Sequence, residues 1–122
     1  MSEQVRSERS ITKAIQKYLK SIGVWEYKVL GTAYSRSGIP DLLCCYRGFF
    51  IGFEVKVPGG KPSKLQEYEI EQIRKSGGSA GIVYSIDDVK KAIEAIDKGL
   101  ENLEKRKAAY EAYISRHRNH RP

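Results

Sequence analysis

The sequence has 122 residues, a length that suits one domain with one modest hydrophobic core. It is 40% hydrophobic and 30% charged, and it has no apolar run near the roughly 18 residues of a membrane span. The formal net charge of +7 favours contact with a polyanion such as nucleic acid. The first ten residues contain no secretory-type apolar stretch, so we expect a cytoplasmic protein with no membrane partner.

Hydrophobic periodicity predicts a helix followed by a strand at the start of the chain. Apolar residues recur at helical spacing over residues 8–22, and Gly23 follows as a stop. Residues 24–30 alternate between apolar and charged side chains, which predicts a half-buried strand. The alternating residues are Trp25, Tyr27 and Val29 against Glu26 and Lys28. A polar loop with a glycine at each end, residues 31–38, comes next.

Two strands joined by a tight turn are predicted over about 40–46 and 49–57. Arg47 and Gly48 fit a two-residue turn, because Gly48 supplies the positive φ that a primed turn requires. Cys44 and Cys45 are neighbours in the first of these strands. Neighbouring strand residues point to opposite faces, so we expect both thiols to be free.

The second half of the chain predicts a helix, a strand and a final helix. The Pro and Gly residues of 57–62 exclude regular structure, and Ser63 is typical of an N-cap for a helix that ends at Gly77. Residues 79–84 form a short buried strand, and Ser85 opens the final helix. The order α-β-β-β-α-β-α predicts an α/β fold, a mixed β-sheet flanked by helices with a right-handed parallel crossover.

The apolar stripe of the final helix runs from Ile86 to Leu103, and Gly99 lies inside it. Either Gly99 ends one helix and a packing helix follows, or one long helix projects as a dimerisation arm. We therefore expect a domain over residues 1–97 and a C-terminal helical extension with a basic tail over 98–122.

The predicted hairpin brings charged residues together at one end of an otherwise apolar sheet. With a turn at Arg47 and Gly48, Asp41 falls opposite Glu54, and strand alternation adds Lys56 to the face of Glu54. Two opposed carboxylates repel each other, so a divalent cation or Lys56 is expected to relieve them. The alternative is a strand-end ion pair between Lys56 and one acid.

These residues resemble the PD-(D/E)XK nuclease signature, with Pro40-Asp41 followed after 12 residues by Glu54-Val55-Lys56. The surrounding residues look like the VRR-NUC branch of this superfamily, in the small stand-alone form typical of phages and prophages. They are Gly38-Ile39-Pro40-Asp41, Phe53-Glu54-Val55-Lys56, Gly60-Lys61, Gln66 and Gly77-Gly78. The resemblance covers roughly residues 8 to 90 and implies a restriction-endonuclease-like fold.

The resemblance implies a metal-dependent endonuclease that hydrolyses phosphodiester bonds in DNA. Asp41, Glu54 and the Val55 carbonyl would bind Mg²⁺ or Mn²⁺, which lowers the pKa of a bound water and neutralises phosphate charge. Lys56 would orient that water or stabilise the transition state. The family also places a glutamate in its first helix, which Glu8 matches, with Glu3 as the rival. For Glu8, a purely structural role at the helix N-terminus stays open.

Gln66 matches the glutamine that this branch places after the lysine strand. The competing interpretation is a capping box formed by Ser63 and Gln66, and we expect the two roles to coexist only with difficulty. Four further residues flank the predicted site and are candidates for phosphate contacts: Arg36, Lys28, Tyr27 and Lys61.

Stand-alone members of this family resemble Holliday-junction resolvases, which implies a homodimer acting on branched DNA inside a bacterial or phage-infected host cell. Two alternatives stay open from the sequence. One is a nuclease that acts on linear or single-stranded DNA, and the other is a basic DNA-binding module without catalysis.

Overall fold

The computed structural model describes residues 7–118, and the rival glutamate Glu3 and the last four residues of the basic tail lie outside this range. Seven elements follow in the predicted order α-β-β-β-α-β-α. They are α1 (Glu8–Ser21), β1 (Trp25–Lys28), β2 (Leu42–Tyr46), β3 (Phe49–Val55), α2 (Lys64–Lys75), β4 (Ser79–Val83) and α3 (Ile86–His117). In this range no helix is both long and apolar enough to cross a membrane.

The four strands form one mixed sheet in the order β1-β2-β3-β4. β1, β2 and β3 pair antiparallel, whereas β3 and β4 are parallel and connected through α2, as predicted. Arg47 and Gly48 form the turn between β2 and β3, and both have positive φ, at 51° and 86°. The observed register, in which Tyr46 pairs with Phe49 and Leu42 with Phe53, is the one that this turn predicts.

The buried face of the sheet packs against α1. Leu42, Cys44, Ile51, Phe53 and Val55 alternate along β2 and β3 and are at most 2% exposed. The inner side of α1 supplies further buried residues: Ile11, Thr12, Ile15 and Leu19. This alternation places the core on one face of the hairpin, because successive strand residues point to opposite sides.

The second helix lies on the opposite face of the sheet. Gly52 of β3 is buried there, and a Cβ added to it would lie 2.9 Å from Pro40 and 3.2 Å from Ile73 of α2. The missing side chain therefore lets α2 and the Pro40 loop approach the sheet closely. Ser63 caps α2 by accepting from the Gln66 N–H, as its sequence predicts.

Strand β1 is shorter than the predicted strand 24–30, and its aromatic side chains are exposed rather than buried. Trp25 and Tyr27 are 61% and 52% exposed, whereas the side chain of Glu26 is 7% exposed. Glu26 pairs with Cys44 and turns towards α1, where it accepts from Gln16 at 2.9 Å and meets Lys20 at 3.5 Å. The charged residue can lie inside because these two partners compensate its desolvation.

The final helix is continuous from Ile86 to His117, so Gly99 does not end it. By its internal contacts the chain divides into two units, up to Val89 and from Lys90 onward. In the first unit, Ser85 and Asp88 cap the start of α3, and Asp88 accepts the Tyr84 N–H at 2.8 Å. In the second unit, the side chains of residues 101–118 are exposed. Whether residues 98–122 fold separately from 1–97 stays a prediction.

A methyl group at Gly52 should destabilise the protein. We expect Gly52→Ala to lower the free energy of unfolding by about 1–3 kcal/mol, because the new Cβ meets Pro40 and Ile73. Gly99→Ala is the matched control. Its Cβ meets no atom within 4 Å, so it should raise helix stability by about 1 kcal/mol. Urea unfolding followed by circular dichroism measures both, and an unchanged midpoint for Gly52→Ala would contradict the close packing.

Candidate active site

The β2–β3 hairpin brings the two carboxylates together. Asp41 directly precedes β2, one position beyond the Leu42–Phe53 pair, and Glu54 directly follows Phe53. The Asp41 carboxylate accepts the Val55 N–H at 2.8 Å, and its backbone carbonyl accepts the Val29 N–H at 2.8 Å. Asp41 is thereby fixed between β1 and β3, and it faces Glu54 as the sequence predicts.

Glu54 is a buried carboxylate with few partners. It is 2% exposed, and its Oε1 accepts from Gln66 Nε2 at 3.2 Å and lies 3.9 Å from Lys56 Nζ. Its Oε2 is buried without a hydrogen-bond partner among the described residues. The carboxyl of Asp41 is close enough to hydrogen-bond to Glu54 when one of the two is protonated. Two ionised carboxylates cannot make that bond, so the charged pair leaves an oxygen unsatisfied.

Burial, together with the neighbouring Asp41, raises the pKa of Glu54 to about 8. Lys56 opposes this increase, and Glu8 adds a smaller increase through its negative charge. The structure therefore brings Glu8, at the start of α1, within electrostatic range of Glu54. The rival, Glu3, lies outside the described residues.

This arrangement suits a hard divalent cation. The unpaired Oε2 of Glu54 and the adjacent Asp41 carboxylate are oxygen donors that an ion would satisfy, and the Val55 carbonyl follows directly in the chain. Within residues 7–118 no three His, Cys, Asp or Glu side chains converge as a metal site. The protein would thus supply two carboxylates and one carbonyl, and water would complete the shell, as Mg²⁺ prefers.

Gln66 makes both of the contacts that its sequence predicts to coexist only with difficulty, while a catalytic role for it stays a prediction. Its Oε1 accepts the Ser63 N–H at 2.9 Å, which completes the capping box of α2. Its Nε2 donates to Glu54 at 3.2 Å. The two contacts are compatible because an amide has a separate acceptor and donor that point in different directions.

Lys56 is positioned by a loop that the sequence analysis did not connect with the site. The Gly60 N–H donates to the Val57 carbonyl at 2.8 Å, and a Cβ on Gly60 would lie 3.3 Å from the Cβ of Lys56. The Tyr84 hydroxyl donates to the Gly60 carbonyl at 3.1 Å and ties this loop to the end of β4. A tyrosine after a strand is common, so the sequence offers no signal that marks Tyr84.

The four residues expected to contact phosphates have different environments. Arg36 is paired with the buried Glu69 through both its Nε and its Nη2, so a phosphate would compete with this carboxylate. Lys28 and Lys61 are exposed. Tyr27 is also exposed, and its ring lies nearly parallel to that of Trp25 with centroids 6.5 Å apart. DNA contact by these four residues stays a prediction.

The metal-free protein should lose stability as the pH rises from about 4.5 to about 8. In this range the unfolded chain releases the Glu54 proton whereas the folded protein retains it, so folding takes up a proton. Glu54→Gln should remove this part of the pH dependence and be more stable than the wild type at pH 8. Urea unfolding in EDTA across this range measures it, with the exposed Glu101→Gln as a charge control. A wild-type slope in Glu54→Gln would contradict the buried-carboxyl interpretation.

Several solved structures of other proteins are similar to this chain. No family model matches the sequence, and no curated protein is similar to it. A solved VRR-NUC domain is 34% identical over 71% of this chain and 94% of its own, with a TM-score of 0.61. A VRR-NUC domain protein with 17% identity covers 75% of this chain and 88% of its own, with a TM-score of 0.62.

A third solved structure is the Holliday junction resolvase Hjc of Archaeoglobus fulgidus. It is 22% identical over 63% of this chain and 67% of its own, and its TM-score of 0.46 is too low to support any argument. The first VRR-NUC domain is matched at 34% identity over 94% of its own length. The chain therefore belongs to the VRR-NUC family.

Proposed function

We propose that this protein is a metal-dependent DNA endonuclease that hydrolyses phosphodiester bonds. The observation that carries the proposal is the buried, unpaired Oε2 of Glu54 beside the carboxyl of Asp41. A buried charged oxygen without a partner costs free energy, and a cation with a bound phosphate would relieve this cost. Membership in the VRR-NUC family supports the same activity.

The mechanism follows from the positions of the side chains. Mg²⁺ or Mn²⁺, bound by Asp41, Glu54 and the Val55 carbonyl, would supply a water of lowered pKa and neutralise charge on the phosphate. Lys56, whose Nζ lies 3.9 Å from Glu54, presents a cation at the same end of the sheet, where it can stabilise developing negative charge. Gln66 donates to Oε1 of Glu54, whereas Oε2 has no hydrogen-bond partner among the described residues and is available to a metal ion.

The outer parts of the site have supporting roles in this proposal. The negative charge of Glu8 makes the electrostatic potential around Glu54 more negative, which favours a cation there. Exposed Lys28 and Lys61 would hold the DNA backbone, and Arg36 would do so when a phosphate displaces it from Glu69. The substrate we propose is branched DNA, cut by a homodimer in a bacterial or phage-infected cell. This finer proposal rests on the resemblance of small stand-alone members to junction resolvases.

Substitution of the central residues should abolish cleavage and leave DNA binding intact. We expect Asp41→Asn, Glu54→Gln and Lys56→Met each to lower the cleavage rate by about a hundredfold or more, because each removes charge stabilisation from the reacting phosphate. Gel assays with Mg²⁺ or Mn²⁺ on four-way, flap, splayed, linear and single-stranded DNA measure the rate and the preference. The exposed Lys105→Met is the control.

Two results would contradict the nuclease proposal. One is full-rate cleavage by purified Glu54→Gln, which would place the activity elsewhere. The other is a purified protein that binds DNA but does not cleave it, and whose calorimetric Mn²⁺ binding does not depend on Asp41. This second result would favour the non-catalytic DNA-binding module.

The two roles of Gln66 can be separated by a pair of substitutions. Ser63→Ala removes the cap acceptor and should cost about 1 kcal/mol of stability while cleavage changes little. Gln66→Glu keeps an acceptor for the Ser63 N–H but loses the donor to Glu54, so it should retain the cap and lose cleavage. Equal cleavage by both variants would show that the Gln66–Glu54 contact is irrelevant to catalysis.

A further inference from the structure

An exposed aromatic pair lies on the same face of the sheet as the candidate site. Trp25 pairs with Cys45 and Tyr27 with Leu43 across β1 and β2, and strand alternation gives Asp41 the same face as Leu43 and Cys45. Trp25 and Tyr27 are 61% and 52% exposed, and their rings are 11° from parallel. Contiguous exposed apolar surface of this kind is often functional, whereas singly exposed residues are not informative.

The pair lies close to the candidate site, because Leu43, opposite Tyr27, is two residues from Asp41. Tyr27 and Asp41 are diagonal neighbours across β1 and β2, a relation that typically separates Cα atoms by about 7–8 Å. The next backbone contact, from the Val29 N–H to the Asp41 carbonyl, is 2.8 Å long. A DNA strand whose phosphate lies at Asp41 and Glu54 would therefore have its neighbouring nucleotide over Tyr27.

We propose that Trp25 and Tyr27 form a stacking platform for unpaired bases of the DNA substrate, an inference that rests on the proposed nuclease function. Bases stack on aromatic rings without regard to sequence, because every base has a π-face. In fully paired duplex these faces are occupied by neighbouring bases. The platform would thus favour DNA with unpaired nucleotides next to the cut, as in flaps and branch points.

The size of the platform favours bases over a second protein chain. The exposed parts of the two side chains, 61% of Trp25 and 52% of Tyr27, offer roughly 200–250 Å², given the ~150–250 Å² of an aromatic side chain. A standard protein interface needs about 800 Å² from each partner. The exposed area thus matches one or two planar bases.

The charges around the platform are compatible with DNA. The chain carries a net charge of +7, which favours contact with a polyanion such as DNA. Phe50, 42% exposed, extends the same face through its pairing with Cys45 and borders a groove of about 320 Å³. Glu69 lines this groove, but Arg36 neutralises it, so no unpaired carboxylate faces the DNA there.

The sequence provides its own reporter, because Trp25 is its single tryptophan. We expect a twelve-nucleotide oligothymidine to quench tryptophan fluorescence in EDTA, where no cleavage occurs. An abasic oligonucleotide of equal length has the same phosphates without bases, so it should bind more weakly and quench little. Alkylation of the exposed Cys45, opposite Trp25, should block the quenching, whereas Cys44 is buried and protected.

Tyr27→Leu keeps the reporter and removes half of the platform. It should weaken oligothymidine binding about tenfold and leave binding of blunt duplex unchanged, because only unpaired bases stack on the ring. Tyr110→Leu, at an exposed tyrosine of α3, is the matched control and should change neither. Circular dichroism confirms that each variant is folded.

Several outcomes would overturn the platform. Equal quenching by the abasic oligonucleotide, or an equal loss of duplex and oligothymidine binding in Tyr27→Leu, would show that the pair does not read bases. If sedimentation shows that Tyr27→Leu is a monomer where the wild type is a dimer, and base-dependent binding is unchanged, the face is a subunit interface instead. If the wild type cuts branched DNA without base-dependent quenching, the platform fails and the nuclease stands. If it neither binds nor cuts DNA, both proposals fail.

Discussion

The site depends on one unfavourable arrangement, the burial of the Glu54 carboxylate beside that of Asp41. Hydrophobic burial of the hairpin holds both acids in place, since their flanking residues Leu42, Phe53 and Val55 are at most 2% exposed. Without a cation the protein adapts by raising the pKa of Glu54. The sheet therefore maintains a local cost that a metal ion and a phosphate would remove, a pattern expected where binding matters more than stability.

The remaining polar contacts orient the carboxyl groups of Glu54 and Asp41 but do not fully neutralise their charge. Lys56 lies 3.9 Å from Glu54, which is too far for a hydrogen bond, and Gln66 occupies the other side of Oε1. Because Gln66 also closes the cap of α2, the start of that helix is joined directly to the acidic pair. Tyr84 has a similar indirect role on the other flank, through the Gly60 loop that packs against Lys56.

The sequence was sufficient where local rules determine the outcome. The Arg47–Gly48 turn sets the register, and the register brings Asp41 to Glu54, so the centre of the site could be predicted from a two-residue pattern. The orientation of β1 could not. Alternation shows two faces but not which is covered, and the partners of Glu26 on α1 are distant in sequence. The ease with which Gln66 makes both contacts was underestimated, because spacing does not reveal how one amide divides its donor and acceptor.

The Arg47–Gly48 turn lies at the far end of the hairpin, five residue pairs from the acids. A single residue that entered the pairing there, instead of lengthening the loop, would shift the register by one and send one strand's side chains to the opposite side. Every residue of the nuclease signature would still be present in the correct order. A search that scores motif letters alone would accept such a chain, although its two acids no longer meet. The number of residues in this turn, through the register it sets, therefore bears on whether the two acids of a relative can meet.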